Sequence, residues 1–195
     1  MQAGSTRWHV VTDTEHAHER EGLEHVRELL PDRGPFQAWS NFEFVDSNGT
    51  WSEVDLLVLG EGTLYLVELK HYQGDVGGNA YRWQLRHRSE DSPLKKTAMK
   101  ARRLAGVLKS SAKKLGLDER TVPFVKPAVF LHAQTTRCLL SDADKNDLFG
   151  LDGREHHSNL PSIADLLLEP ARRGPVNERD FLRVVEAAGF ALRRE

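Results

Sequence analysis

The sequence predicts an α/β fold, a mixed β-sheet core flanked by helices. Three observations lead there. Apolar residues recur at helical spacing before residue 31 and again after residue 93; two aliphatic runs between them are joined by Gly-Glu-Gly; and "VKPAVFLHA" (125–133) is a nearly continuous apolar run typical of an interior strand. Helix, several strands, a long helix, a strand and further helices, in that order, build a sandwich about one sheet.

Each element has its own signal. From about Asp13 to Leu30, the residues Leu23, Val26 and Leu30 mark one helical face, and Pro31 ends it. Glu19 falls on that stripe, while Glu21 points elsewhere. "FQAWSNFEFVD" (36–46) reads as a strand and "SNGT" as the turn after it. Residues 53–70, "EVDLLVLGEGTLYLVELK", form two strands about "GEG", and "DVGGNAYRWQLRH" (75–87) a further one. Past Pro93, Leu94, Ala98, Ala101, Ala105, Leu108, Ala112 and Leu115 make one apolar helix face, with Lys96, Lys100, Arg103 and Lys114 expected on the opposite side. "TRCLLSD" (136–142) pairs near the interior strand, and "LPSIADLLLEP" is a short helix closed by Pro170. "ARRGPVN" is linker-like, and "ERDFLRVVEAAGFALRRE" is an amphipathic helix that stops at Gly189. Two units are expected: residues 1–170, then a linker and C-terminal helix, 171–195, leading toward a downstream domain.

Composition narrows the class. At 195 residues, 39% hydrophobic and 29% charged, the chain can bury a real core. No apolar run approaches the roughly 20 residues that span a bilayer, and the N-terminus lacks the basic start and apolar stretch of a signal peptide, so a cytoplasmic protein without membrane contact is expected. A single cysteine, Cys138, excludes a disulfide framework and a multi-cysteine zinc site, and reads as a small core residue. The net charge of -2 hides a basic segment: residues 82–114 hold 11 Lys and Arg against only Glu90 and Asp91.

The chemistry lies in the hairpin. With Glu61-Gly62 as its loop, antiparallel pairing matches residues whose numbers sum to 123, which sets Asp55 opposite Glu68. Two carboxylates facing each other at roughly 4.5 to 5.5 Å between Cβ atoms destabilise a sheet unless something offsets them. A divalent cation does so, since Mg²⁺ takes oxygen ligands and one or two protein carboxylates. Alternation places Lys70 on the same face, where its ammonium can orient water or stabilise a phosphoryl oxygen. Such a trio suits metal-assisted phosphodiester hydrolysis.

These residues resemble the PD-(D/E)XK nuclease superfamily, with Asp55 as the first acid and "ELK", Glu68 to Lys70, as the (D/E)-x-K element. More specifically, "SEVDLLVLGEGTLYLVELKHYQG" is similar to the NERD, or nuclease-related, domain through Glu53, Asp55, Gly62, Glu68, Lys70 and Gly74. "SPLKKTAMKARRL" resembles that family's later "NP" motif and helix, with Lys96 where many members carry Gln. The resemblance implies a restriction-endonuclease-like sheet core and Mg²⁺- or Mn²⁺-dependent hydrolysis of DNA, with RNA left open. It implies Glu19 as a further acid on the first helix, Glu21 being the fallback, and adds the Leu69 carbonyl to Asp55 and Glu68 as a metal ligand. Lys96, Lys100 and Arg103 are then expected to bind nucleic acid. "LLPDRGPFQAWSNFEFVDSNGTWSEVDLLVL" looks like NERD domains at the N-terminus of bacterial Ser/Thr kinase-like proteins, including phage-defence systems of the BREX kind. That implies a linked kinase-like domain and other defence-system proteins as partners, although no kinase motif occurs in these residues. The alternative is a catalytically inactive nucleic-acid-binding or sensing module that regulates such a kinase-like domain.

Other candidates carry less. "HEREGLEH" (18–25) fails as a zinc-protease helix because Gly22 stands where H-E-x-x-H needs its second His. His156-His157 reads as a surface loop, His71 as pointing away from Lys70, and Tyr81 and Trp83 as core or sheet cover in the first place and as rings for base stacking in the second.

Overall fold

A computed structural model describes residues 1–151 and 158–192, so the pair His156-His157 lies outside the described residues. A seven-stranded mixed sheet forms the centre, in the order β1-β2-β3-β4-β8-β10, with β11 pairing β2. In chain order the elements are β1 (Trp8–Val10), α1 (Ala17–Leu29), β2 (Gln37–Val45), β3 (Trp51–Leu59), β4 (Thr63–Lys70), β5 (Asp75–Gly78), β6 (Arg82–Gln84) and β7 (Ser89–Asp91). Then follow α2 (Pro93–Lys114), β8 (Phe124–Leu131), β9 (Arg137–Cys138), β10 (Leu148–Gly150), α3 (Ile163–Leu167), α4 (Glu178–Ala188) and β11 (Ala191–Leu192).

Helices cover both faces of the sheet. On one face Leu23 and Val26 of α1 and Ile163 and Leu167 of α3 pack on Leu56, Val58, Tyr65, Val67 and Phe130. On the other, Ala101, Leu104 and Leu108 of α2 join Phe181 and Val184 of α4 over Trp39, Leu57, Leu59, Leu64 and Leu66. The C-terminal helix is thus part of the main core, while 171–177 is the irregular link expected before it. Gly189 ends α4 at φ +64, the left-handed conformation that glycine adopts without strain.

The stretch expected as one strand over 75–87 is instead a hairpin. Asn79 Oδ1 accepts the backbone N–H groups of Tyr81 and Arg82, so its side chain folds the chain back between β5 and β6. β5 also pairs in parallel with β9, and the four-stranded sheet β7-β6-β5-β9 closes over Trp83, Cys138, Leu131 and Leu148. Trp83 is therefore core, not a surface ring, and Cys138 is buried. Among the described residues no helix is long and apolar enough to cross a membrane.

Candidate active site

The β3–β4 hairpin has the predicted register, from Leu59 opposite Leu64 to Leu56 opposite Val67, closed by the Gly60 N–H on the Thr63 carbonyl at 2.9 Å. Pairing stops one residue short of Asp55. The β2–β3 ladder also omits Asp55 and its opposite number Asn41, which is buried with φ +54, a conformation costly for a non-glycine residue. Beyond this break the alternation changes phase: Trp39 and Leu57 face the α2 side before it, and Phe42 and Val54 after it. At this break Asp55 turns its carboxylate to β4, where Oδ2 accepts the Leu69 N–H at 2.9 Å. The Lys70 carbonyl accepts from His132 on the β8 side, so by strand alternation the Leu69 carbonyl looks the other way, toward Asp55.

Glu68 is the hub of the site. Its Oε1 accepts from Lys70 Nζ at 2.9 Å and its Oε2 from Lys100 Nζ at 2.7 Å. Lys100 corrects an expectation: it is only 6% exposed and lies on the buried face of α2, not on the solvent face opposite it. The buried face holds Ala101, Leu108 and Ala112 of the expected stripe, but its other members are Thr97, Lys100, Leu104 and Ser111, so it is turned part of a position from the one expected. Spacing of three and four already places Lys100 between Thr97 and Leu104, which is the signal that could have found it. Ser92, accepting the Leu94 N–H, and Pro93 at the first helical position fix where α2 starts and hence where Lys100 arrives.

Electrostatics follow from this packing. Burial, reinforced by the negative charge of Glu68, pushes Asp55 up to about 6, against the pull of the Leu69 N–H and the two ammonium groups. Burial alone would raise Glu68 too, but Lys100 and Lys70 outweigh it and hold the carboxyl below its ordinary value. Burial would likewise depress Lys70, yet Glu68 overrides it and keeps the ammonium protonated to higher pH than usual.

Beside Glu68 and Lys70 opens a cleft of ≈ 1020 Å³. Lys95, Lys96, Arg102 and Arg103 of α2 form one side and Tyr81, Glu90 and Asp91 of the small sheet the other. Lys96 and Arg103 line this cleft, and Arg103 also lies 3.6 Å from the Asp46 carboxylate. Tyr81 is 63% exposed, with Lys95 Nζ 3.7 Å from its ring centroid. The Tyr72 hydroxyl donates to Glu90 and ties the small sheet to the end of β4.

The first helix contributes less directly. α1 packs on the opposite sheet face; Glu19 accepts from Thr14 Oγ1 at 3.0 Å and does not line the cleft. Glu21 is exposed and pairs with His18, so it belongs to a different cluster. His71 points to the α1 face, as alternation from Lys70 predicts.

A mixed sheet between helices, with two acids and a lysine converging at the end of a central hairpin, defines a nuclease-like domain of the PD-(D/E)XK type. The chain belongs to the NERD family, described as the nuclease-related domain, whose model matches residues 14–132. It is 38% identical over 152 residues to "Probable kinase PglW" of Streptomyces coelicolor (strain ATCC BAA-471 / A3(2) / M145), an alignment covering 75% of this chain and 9% of that protein. The chain thus spans a small part of its relative's length. No solved structure matches it.

Proposed function

We propose that this domain is a Mg²⁺-dependent nuclease that hydrolyses DNA phosphodiester bonds. The observation that supports this best is the convergence of Asp55, Glu68 and Lys70 at the break in the β3 ladder, in a chain of the nuclease-related family. The donors fit a hard cation: Asp55 and Glu68 carboxylates and the Leu69 carbonyl are all oxygen, while Glu19, bonded to Thr14 on the α1 face, stands apart from them. When bound, Mg²⁺ supplies Lewis acidity to the phosphoryl oxygen and an activated water.

The chain's own groups do the rest. Lys70, kept protonated by Glu68, acts as a hydrogen-bond donor and positive charge beside the scissile phosphate, not as a proton acceptor. Lys100 is a positioning residue that holds Glu68 in place. Lys95, Lys96, Arg102 and Arg103 neutralise flanking phosphates, and Tyr81 offers a ring to an unpaired base. Purified protein with Mg²⁺ or Mn²⁺ should nick supercoiled plasmid, while Asp55→Asn and Glu68→Gln should not. Equal cleavage by the wild type and both variants would remove the site assignment.

One observation favours a second reading. Both Glu68 oxygens already accept from ammonium groups, so the two acids and two lysines balance without a metal. A domain so built binds nucleic acid without cutting it and reports occupancy to a linked kinase-like domain; salt-sensitive binding with no nicking would select it. Under either reading, work in bacterial phage defence beside a kinase-like domain and other defence proteins, in the cytoplasm, rests on the likeness to the probable kinase.

A further inference from the structure

On the sheet face turned away from Glu68, α1 and the end of β4 gather a second set of side chains. His18 and Glu21 lie three residues apart on α1 and share a face, with His18 Nδ1 3.5 Å from Glu21 Oε2. His71 stacks on His18, ring centroids 3.8 Å apart and planes 11° from parallel. One ligand atom from each of His18, Glu21 and His71 lies within 4.8 Å of the others. Behind them sits buried His132, its ring centroid 5.1 Å from that of His71. Gly22 makes room for it: a Cβ there would lie 2.9 Å from His132 Cδ2.

His71 supplies an independent pointer to a ligand. Both of its ring nitrogens are buried and neither has a hydrogen-bond partner. Leaving such a buried group unsatisfied is unfavourable, and a bound ion would relieve it.

We propose that His18, Glu21 and His71 form a second metal site, for Zn²⁺, separate from the carboxylate site. Two imidazole nitrogens and one carboxylate oxygen, with a fourth position open to water, are a zinc donor set and a poor match to Mg²⁺. Exposed His18 is free to turn out of its stack. That turn brings ligand atoms that already lie within 4.8 Å of one another toward the roughly 3.3 Å that follows from tetrahedral Zn–N bonds of 2.0 to 2.1 Å. Bound zinc ties the first turn of α1 to the residue after Lys70 and stabilises the fold by mass action. The sequence stretch that fails as a zinc-protease helix thereby finds its missing imidazole on another element.

The test uses the full chain with any affinity tag removed, in saturating Mg²⁺. Calorimetry should show one equivalent of Zn²⁺ bound, and Co²⁺ in its place should give visible ligand-field absorption. His18→Ala and Glu21→Gln, both at exposed positions, should each weaken Zn²⁺ binding by roughly tenfold or more and remove the zinc-dependent rise in Tm, with metal-free Tm unchanged. Glu68→Gln should leave Zn²⁺ binding intact. No stoichiometric binding, or binding that survives His18→Ala and is lost in Glu68→Gln, overturns the proposal.

Discussion

Lys100 gives up its hydration to reach Glu68, and a lone buried carboxylate would be far worse off than the pair. Lys100→Met should destabilise chelator-treated protein, by less than the about 3–5 kcal/mol of a fully stranded buried charge because Lys70 still pairs with Glu68. Adding Glu68→Gln should recover part of that, with a coupling of about 0.5–3 kcal/mol in a urea-denaturation double-mutant cycle. Simple additivity would show that the bond contributes nothing. The hairpin register was legible in the sequence because a two-residue loop fixes which residues of β3 and β4 face each other, and alternation along β4 then sets Glu68 and Lys70 on one face. Lys100 was not, because lysine is almost never fully buried and the half-buried alanines at positions 98 and 105 draw the expected apolar face one step aside. The phase change at Asn41 and Asp55 was equally hidden, since asparagine gives no advance sign of a positive φ inside a strand.

At the level of elements, what the sequence displays depends on length. α2 and the hairpin strands run long enough to show a period, whereas β1, β9, β10 and β11 have two or three residues each and show none. The β5–β6 reversal hangs on Gly78, at φ +106, where a Cβ would lie 2.2 Å from the Arg82 carbonyl oxygen. No side chain can be fitted there without moving backbone. Gly78→Ala should therefore open residues 75–91 to limited proteolysis while main-sheet amides stay protected from exchange. Unchanged resistance in that segment would show that the small sheet does not depend on this turn.

Taken as a whole, the molecule packs two apolar layers on one sheet, α1 with α3 on one face and α2 with α4 on the other, and its stability carries a pH signature. Burial, and then neighbouring His71, drive His132 down to about 4. Between the ordinary value of 6.5 and 4 the folded chain binds fewer protons there than the unfolded chain, so stability is full above 6.5 and falls as pH drops toward 4. The loss amounts to about 3 kcal/mol at most. Asp55, held up at about 6, acts in the opposite sense over part of that window, so the two are separated by comparing variants. Denaturation curves of His132→Gln across this range should lack the acid-side fall seen in wild type; parallel profiles would refute it.

The parallel pairing of β4 with β8 runs from Thr63 to Lys70, and β3 holds its other edge as far as Val67. Glu68 and Lys70 therefore ride on a strand that shifts only if the sheet itself opens. The turn between β5 and β6 and the three-residue β7, by contrast, carry Tyr81, Glu90 and Asp91 across from them. Any polymer that enters meets an immovable floor and an adjustable far wall, and the compliance of that wall sets how thick a guest can be.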